Sequence, residues 1–242
     1  MISSPPDGAT LLYTPSSLSL TVVVNKTPPY DVSKDFTPIV NVAISPYALV
    51  VHPSVPAKNL KEFIDYAKAN PGKLNFGSAG VGSASHLAAE LLKTRAGIEM
   101  THVPNKGMNP ALIDLMAGQV QVLFASVPGM LSEKSERIRP IAMAEKKRSA
   151  LITDMPTMSE SGLPDFEVGN WAGLLGPAGM DPAVVRKLHD EIISILKTQD
   201  MQDRIKTLGF DVIAGSPEQF AAQLKEDIVR WGDVARRANI VN

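Results

Sequence analysis

The chain has 242 residues, 44% of them hydrophobic and 20% charged, which suits one large domain or two modest lobes and excludes a disordered or fibrous chain. Its 24 Lys and Arg against 25 Asp and Glu leave a net charge of −1, so no surplus positive field draws it to nucleic acid or an anionic membrane. Without cysteine it has no disulfide, thiolate metal site or cysteine nucleophile.

Met1 to Gly8 holds neither the basic nor the apolar region of an export signal, and no later segment approaches the ~18 uninterrupted apolar residues of a membrane span. Residues 10–14 read as a short buried strand that enters a polar loop at Pro15, Ser16 and Ser17. Residues 39–44 and 47–51 are β-rich runs broken by Ser45 and Pro46. Asn59 opens a helix with Glu62 in a capping box and Leu60, Phe63, Ile64 and Ala67 as its apolar stripe; Asn70, Pro71 and Gly72 end it. A strand at 73–76 leads into the glycine loop 77–83 and then a helix with Leu87, Ala88, Leu91 and Leu92 on one side.

A strand at 99–103 leads to a helix capped by Asn109, with Pro110 at its first position and Gly118 just past its end. Strands follow at 120–126 and near 139–144. Residues 162–180, rich in Gly and Pro, read as turns and as the crossing between two lobes. Beyond it lie a helix from Asp181 carrying Val185, Leu188, Ile192 and Ile195, a shorter one capped by Asp200, a strand at 210–214, and a last helix opened by a capping box at Ser216 and Gln219. Strands alternating with helices predict an α/β fold with parallel pairing and right-handed crossovers.

The loop 77–83 is the strongest local signal. Glycines let backbone N–H groups converge, and the helix behind them offers free N–H groups and a positive dipole end, so the segment reads either as an anion site or as a tight connection. A P-loop needs Lys where this chain has Ser83, and a dinucleotide fingerprint needs Gly where it has Ser85, so neither cofactor is expected. Ser16, Ser17, Asn105, Lys106 and Ser126 follow predicted strand C-termini, the edge at which open α/β sheets bind ligands. His86 is expected in a structural hydrogen bond; no nucleophile elbow or His-Glu-x-x-His metal motif accompanies it, and no metal is expected.

Several stretches, in order along the chain, resemble a known family. They are Lys34-Asp35-Phe36-Thr37-Pro38, residues 75–83 with His86 and Leu87, residues 102–107 with Pro110, Ala111 and Leu112, residues 144–149, Pro156 and Thr157 with residues 160–164, Trp171 to Leu174 with Gly176 to Gly179, and residues 216–220. Together they resemble the extracytoplasmic solute-binding proteins of tripartite tricarboxylate transporters, the Bug or TctC-like family. The resemblance implies a two-lobed periplasmic-binding-protein architecture of type II, the Venus flytrap, with parallel-rich sheets, which captures a small carboxylate in the periplasm for membrane permease subunits and is not an enzyme. Lobe 1 would comprise residues 1–49 and 170–242, and lobe 2 residues 50–169. The implied ligand-binding residues are Thr14 and Ser16 from lobe 1, with Ser78, Ala79, Gly80, Gly82, Ser83, Asn105 and Ser126 from lobe 2.

In two respects the chain departs from the family. Asn105 stands where members usually have tyrosine, and the signal peptide, first strand and Pro/Gly-rich loop that members carry ahead of Pro6 are absent from the sequence as given, so the first lobe is expected to be incomplete at its N-terminus. A ligand-sensing domain and a small-molecule enzyme on an α/β fold are the alternatives; the missing P-loop lysine and nucleophile elbow speak against the second.

Overall fold

A computed structural model describes residues 1–132, 136–149 and 152–240. The elements in chain order are β1 (Leu12–Pro15), α1 (Ser17–Val24), β2 (Phe36–Val51), α2 (Leu60–Ala69), β3 (Asn75–Ser78), α3 (Ala84–Ala96), β4 (Thr101–Pro104) and α4 (Met108–Met116). They continue as β5 (Val122–Ser126), α5 (Val127–Ser132), β6 (Arg139–Met143), β7 (Gly169–Pro177), α6 (Pro182–Leu196), α7 (Gln199–Thr207), β8 (Asp211–Gly215) and α8 (Pro217–Arg237). The chain divides into two units, Met1–Ile44 with Asn170–Asn242, and Ser45–Gly169.

In the first unit β1 runs antiparallel to β7, from Leu12 opposite Leu175 to Pro15 opposite Ala172. β7 lies beside β2, whose N-terminal half also takes β8 antiparallel. One core cluster joins Leu18, Phe36, Trp171, Leu175, Phe220 and Leu224. A second joins Ile39, Val40, Met180 and Val185. The second unit has parallel pairing where helices cross over: β3 lies between β4 and β5, with α3 and α4 as the crossovers. β5 is antiparallel to the C-terminal half of β2, which takes β6 on its other edge. The sheets are therefore mixed. Ala48, Val50, Leu112, Leu115, Leu123 and Met143 are among the buried side chains of this unit's core.

Where a helix is set by its own first turn, the structure follows the sequence. Asn59 accepts from the N–H of Glu62 at 2.9 Å, and the Glu62 carboxylate reaches back to the N–H of Lys58 at 2.8 Å. Ser216 and Gln219 form the reciprocal box that starts α8. Other elements depart from the expectation, each for a visible reason. Ser45 and Pro46 do not break β2: pairing with β8 stops at Ile44 and pairing with β5 starts at Tyr47, so the missing N–H of Pro46 costs no ladder bond on those edges.

Ser17, expected in a polar loop, instead opens a helix that runs to Val24 despite β-branched Thr21 to Val24, with Leu18, Ser19 and Leu20 buried. Residues 169–177 are a strand rather than turns. Gly173 faces the ring of Phe220 and Gly176 faces Met180, leaving no room for a Cβ at either, so these glycines serve packing and not turning. α4 is not capped by Asn109; it starts at Met108 behind Gly107, whose N–H donates to the carbonyl of Ala79 at 3.1 Å. Thr198, not Asp200, caps α7, and Asp200 pairs with Arg204 at 3.0 Å. On α6 the buried stripe ends on Leu196, while Ile195 is exposed.

Candidate functional site

β3 ends at Ser78 and α3 begins at Ala84, and the residues between them make a tightly bonded loop. Gly80 has φ +133° and Gly82 φ +75°, conformations that a side chain with a Cβ rarely adopts. The N–H of Ala79 donates to Ser85 Oγ at 2.9 Å, that of Gly80 to Ser78 Oγ at 3.1 Å, and that of Gly82 to His86 Nδ1 at 3.1 Å. Ser83 donates its N–H and its hydroxyl to the carbonyl of Gly80, at 3.2 and 2.7 Å. It also caps α3, accepting from the N–H of His86 at 3.4 Å through Oγ and from that of Leu87 at 3.0 Å through its carbonyl. A helix leaves its first N–H groups without intrahelical acceptors. With His86 and Leu87 bonded to Ser83, the remaining N–H groups of the helix end are those of Ala84 and Ser85, both buried, where the helix dipole favours negative charge.

Beneath the loop lies an aromatic stack. His102 lies on Phe76, their ring centroids 4.8 Å apart, and His86 lies on His102 at 3.7 Å with only 11° between the planes. His86 is 1% exposed, and its Nδ1 accepts from Gly82, so its proton sits on Nε2, 3.9 Å from Glu90 Oε1. Burial, then His102 and then Lys93 push the His86 imidazole down to about 3; burial and Lys93 push His102 down to about 4. Both rings are neutral at neutral pH. His102 Nε2 lies 2.7 Å from Ser78 Oγ, which also bonds the N–H and the carbonyl of Gly80.

The expected residues of the second unit fall into two groups. Ser78, Ala79, Gly80, Gly82 and Ser83 share the loop, and Asn105 is drawn beside them by its N–H to the carbonyl of Ser78 at 3.1 Å. Asn105 Nδ2 donates to Asp114 Oδ2 at 2.6 Å, which turns Oδ1 the other way, buried and without a hydrogen-bond partner. Ser126 lies at the C-terminal end of β5, the same edge of the parallel set as Ser78, with no bond to the loop. Ser78 is wholly buried, so its hydroxyl shapes the loop from below. Lys106 is exposed.

Thr14 and Ser16 belong to the first unit. Thr14 Oγ1 bonds the carbonyl of its neighbour Pro15 at 3.2 Å, and Ser16 Oγ donates to Asn170 Oδ1 at 2.7 Å. Close by in this unit, Trp171 accepts the N–H of Ser16 on its carbonyl at 3.0 Å and donates its indole N–H to Asp227 at 2.7 Å. Burial raises the Asp227 carboxyl to about 6, against the pull of Trp171 and Arg230.

Sequence reasoning missed Ser85, His102, Asp114 and Asn170. His102 could have been found from register, since β4 laid parallel on β3 puts it opposite Phe76. Among the described residues no group of three His, Asp or Glu stands close enough to hold a metal ion, and no helix is long and apolar enough to cross a membrane.

The sequence profile described as tripartite tricarboxylate transporter family receptor matches residues 1–240. A protein of Pseudomonas sp. (strain P51), described as a UPF0065 protein in the tcbD-tcbE intergenic region, is 35% identical over 230 residues, 94% of this chain and 68% of that one. Protein BugT of Bordetella pertussis is 32% identical over 233 residues, 95% of this chain and 72% of its own. Among solved structures, an R. palustris protein with adipate is 31% identical, with a TM-score of 0.84 over 98% of this chain and 80% of that chain. MatC from Rhodopseudomonas palustris with bound malate is 32% identical, with a TM-score of 0.79 over 96% and 81%. The periplasmic binding protein BugD is 30% identical, with a TM-score of 0.80 over 99% and 81%.

Proposed function

The chain belongs to the tripartite tricarboxylate transporter family of receptors and has their fold, and we propose that it captures a small carboxylate in the periplasm and delivers it to the permease subunits of such a transporter. The observation that carries this reading is the pair of solved relatives with adipate and with malate, each alike over nearly the whole chain. The local chemistry supports it: the amides of Ala84 and Ser85 at the start of α3, framed by Ala79, Gly80, Gly82 and Ser83, suit one carboxylate group. Asn105 and Ser126 border that edge, and Asn105 Oδ1 is an acceptor that a hydroxyl or ammonium on the ligand would satisfy. Thr14 and Ser16 are proposed as the first unit's contribution.

Binding without turnover is part of the proposal. His86 Nδ1 is occupied by Gly82, and Ser85 Oγ by the N–H of Ala79. Ser78, which His102 Nε2 approaches at 2.7 Å, is wholly buried and bonded to the carbonyl of Gly80, so the serine that faces an imidazole is closed off from a substrate. The test is a thermal-shift and calorimetric screen of mono-, di- and tricarboxylates, amino acids and nicotinate-like acids against the purified chain. A ligand that binds only the folded state raises the midpoint by mass action. At least one di- or tricarboxylate should raise it and return unchanged on chromatography; a panel without any carboxylate response, or a carboxylate that comes back altered, would sink the proposal.

A further inference from the structure

We infer that His86 is the positioning residue of the carboxylate loop, holding Gly82 through a bare imidazole nitrogen while His102, stacked beneath it, holds Ser78. The inference rests on the reading of the loop as a carboxylate site. Gly82 has φ +75°, and its N–H has one acceptor, Nδ1 of His86 at 3.1 Å, four residues on and inside the first turn of α3. A buried amide left without an acceptor costs more than the bond itself returns, so the ring fixes the plane of the peptide between Val81 and Gly82. That peptide leads into Ser83, whose cap sets the start of α3 and with it the amides of Ala84 and Ser85. His102 fixes the other end. Its Nε2, 2.7 Å from Ser78 Oγ, orients the hydroxyl that bonds Gly80.

The stack explains why imidazoles serve here. Two neutral rings 3.7 Å apart pack face to face at little cost, whereas protonating Nδ1 would remove the acceptor and set a cation on His102 and near Lys93. Glu90, 3.9 Å from Nε2 and already bonded to Lys93 at 2.9 Å, is the acid facing the ring. β3 and β5, packed against α3, bring no titratable side chain, and β4 brings His102, the ring stacked on His86. The loop is thus built for one protonation state and one tautomer.

Solution NMR and calorimetry on the full chain, with adipate and malate as probes, test this. Wild type should show an unprotonated His86 Nδ1 with a hydrogen-bond coupling to the amide nitrogen of Gly82. His86→Asn, whose side-chain oxygen reaches the place of Nδ1, should bind the better probe within about threefold of wild type, while His86→Gln, whose amide reaches the place of Nε2, should lose about tenfold or more. Exchange of the Gly82 amide should quicken in the Gln variant and not in the Asn variant. A protonated Nδ1, or Asn and Gln variants that fold, bind and exchange alike, overturns the inference. If neither variant folds, the wild-type coupling alone decides. A wild type that takes up no carboxylate sinks the function proposed above, while coupling and amide exchange still judge the role of His86.

Discussion

The two strand-to-helix junctions that carry the candidate ligand residues both put a serine at the helix start, and they use it in opposite ways. Ser83 is extended, with φ −70° and ψ 160°, and its hydroxyl caps α3; Ser16 is already helical, with φ −55° and ψ −14°, and makes no side-chain cap on α1. Every partner of Ser83 named above lies within three or four residues. Ser16 instead spends its hydroxyl on Asn170, which arrives from β7. The first junction is therefore shaped by its own sequence, and the second by a residue that only the folded first unit supplies.

The largest break in this comparison should come from Gly80→Val or Gly82→Val. Positive φ at both positions, and the carbonyl of Asn105 at 3.3 Å from a Cβ on Gly80, leave a β-branched residue no relaxed conformation. Carboxylate affinity should fall about a hundredfold or more by calorimetry, with the fold retained by circular dichroism. No substitution at Thr14 or Ser16 should match it.

Next comes pH, because the two units carry buried groups of opposite sign. His86 and His102 have folded values below the ordinary 6.5, so the unfolded chain binds protons first and their contribution to stability falls as pH drops from about 6.5 towards 4. Asp227, raised from 3.8 to about 6, does the reverse: its folded state holds the proton longer, so its contribution falls as pH rises from about 4 to 6. Both tryptophans, Trp171 and Trp231, lie in the first unit, so their fluorescence during urea unfolding follows the side on which Asp227 sits. Asp227→Asn should gain relative to wild type by about 2 kcal/mol on going from pH 4 to pH 7. An equal offset at both pH values would show that Asp227 is not held as described.

The smallest effects sharpen the contrast between the serines. Ser83→Ala should cost about 1 kcal/mol of stability as a lost N-cap. Ser16→Ala should cost about 0.5 to 1 kcal/mol, and all of it should couple to Asn170 in a double-mutant cycle. Coupling between Ser83 and Asn170 should be absent.

This contrast also marks what the sequence could reveal. The starts of α2, α3 and α8 were readable because Asn59, Ser83 and Ser216 are satisfied within one turn, and the loop 77–83 because its glycines sit where positive φ is needed. α1 and β7 were not, since their states depend on burial against distant partners: Leu18 and Leu20 pull a β-prone segment into a helix, and Phe220 and Met180 demand glycine in a strand. Within the site, His86 was legible as a hydrogen-bonding residue because its partner is four residues away. His102 and Asn170 were not, because strand register and a remote contact bring them in.

The single strand β2 bears on how the chain matures during synthesis. Its C-terminal half finds β5 and β6 within the uninterrupted run Ser45–Gly169, whereas its N-terminal half takes β7 and β8 from the last third of the chain. On a nascent chain the second unit can therefore close first, and the run from Phe36 to Ile44, apolar and rich in β-branched residues, waits with unpaired edges until residues 211–215 are made. Long-range pairing of this kind is slow to form in general, and an edge left unpaired in the interval is a template for misassembly.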